Sequence, residues 1–235
     1  MDERRLSQLT DAFLAVEGIL YVSFLNMDLT GYGGDTVFVK YAGVLLCLAF
    51  ALLCALGGGD RLVPIALTLT ACADWFLLVR NDCYALGVAL FLCVQTVYFL
   101  RLRRAGAPSL WPIRVGVVPL AGAAAFVVEQ SAWHTDLFSP ENLLVNLLAA
   151  VYFTQLLSNT IAAWTLKGKR WRRFALGLTL FVGCDICVGL YNVQILNLML
   201  YFFAAVGMWL FYLPSQVLIA LSALPEKEVS HEENQ

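Results

Sequence analysis

Two aspartates stand inside apolar runs of this chain, Asp74 in LTLTACADWFLLV and Asp185 in LGLTLFVGCDICVGLY. A carboxylate in hydrocarbon costs roughly 2.5 to 3.5 kcal/mol on insertion scales, so an acid at that depth is kept for a partner or a task. Two carboxyl groups sharing one low-dielectric compartment cannot both ionise cheaply; one holds a proton while the other is an anion, and the pair titrates as a unit. That arrangement equips a site for general acid–base chemistry: a proton to deliver, a base to activate water, and negative charge beside a developing cation. A structural salt bridge with a buried lysine is the plain alternative.

The elements that must hold these acids follow from composition. The chain has 235 residues, 60% hydrophobic and 14% charged, with mean hydropathy +0.76, more apolar surface than a soluble core of this size hides. Apolar stretches recur at 9–26, 36–57, 61–79, 83–101, 111–129, 141–166, 172–190 and 195–222, and each is long enough to cross a hydrocarbon core of about 30 Å. The expectation is an all-α, polytopic membrane bundle of about eight transmembrane helices in one domain, 1–222, followed by a short polar tail, 223–235. The first stretch carries Asp11 and Glu17 and is the least apolar, and acids flanking it argue against a cleaved signal peptide.

With the N-terminus inside, thirteen of the fifteen Lys and Arg residues fall on the cytoplasmic side, leaving Lys40 and Arg80 at the other. Both termini are therefore expected in the cytoplasm, and the bilayer is expected to be the plasma membrane. The stretches 61–79 and 172–190 then run in the same direction, which is compatible with two four-helix repeats. Asp74 lies about 20 Å above Arg61 and Asp185 about 18 Å above Arg173, so the two share a level. Lys40, near the outer start of its span, is at a similar level and is the expected counter-ion in a common pocket.

Further polar residues line these spans: Gln95 and Tyr98, three apart; Tyr212 and Gln216, four apart; and Asn146, Tyr152, Gln155 and Asn159. Spacings of three and four put each pair on one helical face, where interhelical hydrogen bonding is an ordinary role. Cys184 and Cys187 flank Asp185 as C-x-x-C, which in a membrane helix reads as small packing residues one turn apart. Histidine is confined to His134 and His231, too few for a zinc site built on several imidazoles. No metal, cofactor or nucleic-acid partner is expected; the partners are membrane lipids and an amphiphilic substrate, with no oligomeric state set.

Lys40, an Asp 34 residues on, an amide 21 beyond it and Tyr98 three further resemble the lysoplasmalogenase-like (YhhN-type) membrane family. GLTLFVGCD at 177–185 resembles that family's Gly-x-x-Leu-Phe-x-x-Ser-Asp pattern, and YLPSQVLI at 212–219 its closing Tyr-x-x-x-Gln/His-x-Leu-Ile element. This chain has Tyr41, Ala73, Gln95 and Cys184 where the family usually has Pro, Gly, His and Ser. The resemblance implies a hydrolase that cleaves the vinyl ether bond of lysoplasmalogens, releasing a fatty aldehyde and a glycerophospho-alcohol. Asp74 and Asp185 are the expected catalytic pair, with Lys40, Gln95, Tyr98, Tyr212 and Gln216 supporting them or binding substrate. An ion-coupled transporter, or an inactive lipid-binding relative in which Gln95 cannot relay protons, are the alternatives.

Overall fold

The structure is a computed structural model and describes residues 3–31, 34–117, 140–192 and 198–225. Among the described residues every regular element is helical: α1 is Glu3–Thr30, α2 Val37–Leu56, α3 Leu62–Asp74, α4 Tyr84–Arg104, α5 Pro140–Trp164, α6 Lys169–Asn192 and α7 Leu198–Leu221. From Asp74 the α3 rod continues as a π-helix, Trp75–Arg80, and residues 111–117 are helical as well. Among the described residues seven helices are long and apolar enough to cross a membrane, and the protein is an integral multi-pass membrane protein. The expected span at 111–129, the turn after Asn192 and the polar tail lie largely outside the described residues.

The helices close into a ring. α2 packs on α3, α3 on α4, α4 on α5, α5 on α6, α6 on α7, and α7 returns to α2, while α1 packs on α2 and α7 alone. Lipid gives helices no hydrophobic reason to associate, so seams form where small residues let backbones approach. The buried alanines 66, 73, 162, 163 and 175 are of this kind. At Gly177 a Cβ would stand 2.9 Å from Ile219 Cγ1 and 3.1 Å from the Ser215 carbonyl, so α6 and α7 meet there as closely as a glycine permits. Large apolar side chains such as Ile19, Val22, Leu56 and Phe203 face outward.

α7 carries Pro214 in its interior. Proline has no N–H, so the carbonyl four residues earlier loses its helical partner. The Tyr21 hydroxyl of α1 donates to that carbonyl, Leu210 O, at 3.1 Å. A vacancy in one helix thereby becomes the attachment point for another.

The basic end is tied by one carboxylate. Asp60, in the α2–α3 loop, accepts from Arg101 Nε at 2.7 Å and from Arg170. Arg101 Nη2 donates to the Ser222 carbonyl at 2.9 Å, and the Asp60 amide donates to the Ala223 carbonyl at 3.0 Å. The Arg101 guanidinium also lies 4.2 Å from the Phe174 ring centroid and 4.8 Å from that of Trp171. Four helix ends and the start of α3 are joined here. Burial opposes ionisation of Asp60, but Arg101, the Leu62 amide and Arg170 outweigh it and hold the carboxyl below its ordinary 3.8.

A group whose folded value is depressed contributes stability above its unfolded value and loses it as pH falls through the folded one. Thermal melts in detergent should therefore show wild-type protein losing stability below about pH 4, with Asp60→Asn less stable at neutral pH and flatter in that acid range. Removing one partner of a buried pair costs about 3 to 5 kcal/mol. A neutral-pH melt of Asp60→Asn matching wild type would refute this role.

Candidate active site

The interior of the ring is filled by aromatic side chains centred on Phe181 of α6. Its ring centroid lies 5.7 Å from Phe91 of α4, 6.4 Å from Tyr152 of α5 and 5.5 Å from Tyr212 of α7. Phe91 also touches Tyr152, at 5.8 Å. Four helices thus meet through one buried phenylalanine, which is 1% exposed.

Each of the two tyrosines faces an aspartate. The Tyr212 hydroxyl donates to Asp74 Oδ2 at 2.6 Å, a length typical of a charge-assisted bond. Tyr152 lies within electrostatic range of Asp185, yet neither its hydroxyl nor Asp185 Oδ2 completes a hydrogen bond. Cys184, one turn beyond Phe181, lies within electrostatic range of both aspartates. The two carboxyls are also level: α3 and α6 both leave the Asp60–Arg170 junction, and fourteen and fifteen residues of helix place them about 21 and 22 Å along. They do not hydrogen-bond each other directly. α3 and α6 do not pack together, and the aromatic cluster stands between their helices.

The Tyr212–Asp74 pair adjoins irregular helix on both of its sides. Asp74 is the last α-helical residue before the π-helical turns, and Tyr212 is two residues ahead of Pro214. π-Segments widen a helix and recur at functional sites. Here Leu77 of the widened stretch is admitted by Gly87 of α4, where a Cβ would stand only 2.4 Å from Leu77 Cγ.

Toward the basic end, one turn from Phe91 and Tyr212, lie Gln95 and Gln216, both fully buried. Gln95 Nε2 and both amide atoms of Gln216 lack partners, as does the hydroxyl of Tyr98, whose ring packs on Phe174 at 5.1 Å. Many other hydroxyls in the helices bond the carbonyl four residues back, as in Thr68, Thr96, Thr154, Ser158, Thr160 and Thr179. Thr70 and Ser215, next to Asp74 and Gln216 in their helices, do not. The unpartnered polar atoms therefore concentrate on the ring interior, where a polar ligand or water would find them.

Lys40 is placed otherwise than the sequence suggests. Its Nζ pairs with Asp28 Oδ2 at 2.7 Å, while Asp28 Oδ1 accepts from Thr36 at 2.8 Å. The reason is the length of α1, which runs to Thr30 and carries Asp28 over the start of α2. The ammonium lies 4.9 Å from the Trp209 ring centroid, and Trp209 packs edge-on against Tyr212 at 5.4 Å. Lys40 thus stands one aromatic layer from Asp74, paired elsewhere.

Two charged residues outside the sequence-derived set are also buried. Glu17 of α1 is 3% exposed, its Oε1 accepting from Cys47 Sγ at 3.2 Å and its Oε2 unpartnered. An acid in mid-span was its signal, the same one that singled out the aspartates. Arg114 is 5% exposed and bonds Gln155 and Asn159 of α5; the sequence offers it only as one basic residue among a cytoplasmic group. Cys184 and Cys187 are free thiols, and Cys187 Sγ packs on Gly207 of α7. Among the described residues no three His, Cys, Asp or Glu side chains cluster as metal ligands would.

A closed ring of apolar helices around two tyrosine-paired carboxyls defines a multi-pass membrane protein with an interior polar site. The profile of the YhhN family matches residues 36–223, most of the chain and the whole of every ring-forming helix from α2 to α7. The chain belongs to the YhhN family, the lysoplasmalogenase-like membrane proteins. α1 lies outside the matched residues. No curated protein and no solved structure matches the sequence.

The asymmetry between the two pairs is measurable. Tyr212→Phe deletes the bond to Asp74 and should lower stability in detergent by about 1 to 3 kcal/mol, the cost of stranding a buried acceptor. Tyr152→Phe removes a hydroxyl with no completed bond and should cost clearly less. Equal losses in thermal melts would contradict the described geometry.

Proposed function

We propose that this protein is a lysoplasmalogenase-like hydrolase whose catalytic pair is Asp74 and Asp185, working inside the bilayer on a lysolipid. The observation that carries the reading is the convergence of the buried Asp74 and the half-buried Asp185, each beside a tyrosine, on one interior of the ring. Family membership supports it. The surroundings suit an amphiphile: an aromatic cluster for apolar chain and unpartnered amides for polar groups.

Hydrogen bonding separates the roles. A donor such as the Tyr212 hydroxyl stabilises a carboxylate as an anion, so Asp74 suits the base. Asp185 suits the acid. Asp185 passes its proton to the alkene carbon remote from oxygen, and the ether oxygen lone pair stabilises the resulting oxocarbenium ion, beside the Asp74 anion. Water adds to the carbon next to oxygen and gives its proton to Asp74. The hemiacetal then collapses: the carbon–oxygen bond to glycerol breaks, the leaving oxygen takes the proton held by Asp74, and the hemiacetal hydroxyl returns its own to Asp185. One water is consumed, one aldehyde and one glycerophospho-alcohol are released, and both acids are restored. Lys40, paired with Asp28, supports the site indirectly, by fixing Trp209 against Tyr212.

Purified protein incubated with a lysoplasmalogen should release aldehyde, and should leave the corresponding ester lysolipid intact. Asp74→Asn and Asp185→Asn should each remove nearly all release, since an amide neither donates that proton nor activates water, and the double variant should be little worse than either single. Turnover at wild-type level in a folded Asn variant would refute the assignment.

The orientation we propose puts the Asp60–Arg101–Arg170 end in the cytoplasm, following the positive-inside rule, with both termini there and the plasma membrane as the host bilayer. Topology reporters inserted after Gly168 should read cytoplasmic and after Asp82 external. The reverse pattern would invert the protein.

A further inference from the structure

Gln95 is fully buried on α4 with its Nε2 unpartnered, and its neighbours determine which end of its amide faces the interior. Arg114 Nη2 donates to Asn159 Oδ1 at 2.7 Å, Nη1 to Gln155 Oε1 at 2.5 Å and Nε to the Ser109 carbonyl at 2.7 Å. A guanidinium has donors only, so the Asn159 atom that meets it must be oxygen. Asn159 Nδ2 in turn donates to the Gln95 main-chain carbonyl at 2.9 Å and to Gln95 Oε1 at 3.0 Å. A carbonyl only accepts, so Asn159 is constrained to one orientation from both sides. The Gln95 oxygen is engaged by Asn159, and the amide group that remains is its NH2.

A buried donor without an acceptor is costly and calls for an explanation. Across the interior, Gln216 of α7 has neither amide atom engaged. α4 and α7 both end at the Arg101–Ser222 contact, so they run in the same direction. Phe91 and Tyr212, one turn back on each, both rest on Phe181, so Gln95 and Gln216 flank the same level of the interior. A fixed donor on one side and an amide able to offer its oxygen on the other match a hydroxyl group, which accepts and donates at once. An ether oxygen uses only the donor, and a donor on the reacting ether would withdraw the lone pair that stabilises the oxocarbenium ion.

We infer that Arg114, acting through Asn159, fixes Gln95 as a hydrogen-bond donor to a free hydroxyl on the bound amphiphile. Arg114 and Asn159 are then positioning residues, and Gln95 with Gln216 sets specificity for a hydroxyl beside the chain linkage. The inference rests on the proposed function for the ligand being a lysolipid.

The test uses full-length protein in lipid nanodiscs and two probes that cannot be cleaved: a saturated 1-O-alkyl lysophospholipid and its counterpart lacking the glycerol hydroxyl. Wild type should bind the hydroxyl-bearing lipid about ten-fold more tightly, the scale of one well-made hydrogen bond to a buried group. Gln95→Met should bring the ratio to about one. Asn159→Asp, with Gln95 intact, should spare the hydroxyl preference but weaken by about ten-fold the binding of a third uncleavable probe with a ketone in place of that hydroxyl, which can only accept, because the introduced carboxylate holds Arg114 but cannot donate, so Gln95 turns its NH2 toward it and its oxygen toward the ligand. Melting temperatures check that each variant is folded. Equal binding of the two lipids by wild type, no binding of either, or ketone binding by Asn159→Asp as tight as by wild type would overturn the inference. None of the probes is cleaved, so the outcome is independent of turnover. Preference without aldehyde release defeats only the proposed activity; aldehyde release without preference defeats only this inference.

Discussion

Hydrocarbon offers no hydrogen bonds, so a polar atom between membrane helices is satisfied by protein or left at a cost. Much of this molecule follows from that constraint. Threonine and serine hydroxyls fold back on their own helices. The carbonyl freed by Pro214 receives Tyr21, and the buried charge of Arg101 is met by Asp60, a main-chain carbonyl and two aromatic faces. Against that background the unpartnered atoms of Asp185, Tyr152, Gln95, Tyr98 and Gln216 stand out. They gather on the interior of one ring, in the compartment where the two aspartates meet the aromatic cluster.

The two ends of the bundle differ in consequence. At the basic end, charge pairs and carbonyl contacts bind four helix ends to one carboxylate, an arrangement that resists movement. Further in, the helices depart from regularity beside Asp74: π-helical turns follow it, and a proline follows its partner Tyr212. A helix whose own hydrogen bonds are rearranged can widen or bend at lower cost than a regular one. Rigidity is thus placed where the ring is held shut and tolerance beside Asp74.

Reading the residues alone goes far toward the ring and less far toward its pairings. The apolar stretches mark each of the described spans, because a bilayer demands a length and a composition that show in any window of the sequence. The level shared by Asp74 and Asp185 follows from helical rise and from their distance to basic ends. Lys40 pairs with Asp28 because α1 runs a turn past its apolar stretch, to the left-handed Gly31 at φ 68°, and a polar last turn such as NMDLT reads in the sequence as loop. Glu17 and Arg114 are legible only as charges in or beside a span, because a side chain's neighbours across a seam leave no trace in its own segment. The tyrosine partners show the same limit. Asp74 is joined to a residue 138 positions later, and Asp185 faces one on the preceding helix, so a supposed twofold repeat would not have supplied either pairing.

Arg101, Asp60, Tyr21 and Asp74 all await residues of α7 or the loop just after it: the carbonyls of Ser222, Ala223 and Leu210, and the Tyr212 hydroxyl. During synthesis the earlier helices enter the bilayer before these partners exist. A nascent chain that has not yet released its last helix therefore holds the Asp74 carboxyl without its hydroxyl partner and Arg101 Nη2 without its carbonyl. The final segment acts as a keystone, and until it arrives the ring is a substrate for the machinery that retains or removes incomplete membrane proteins.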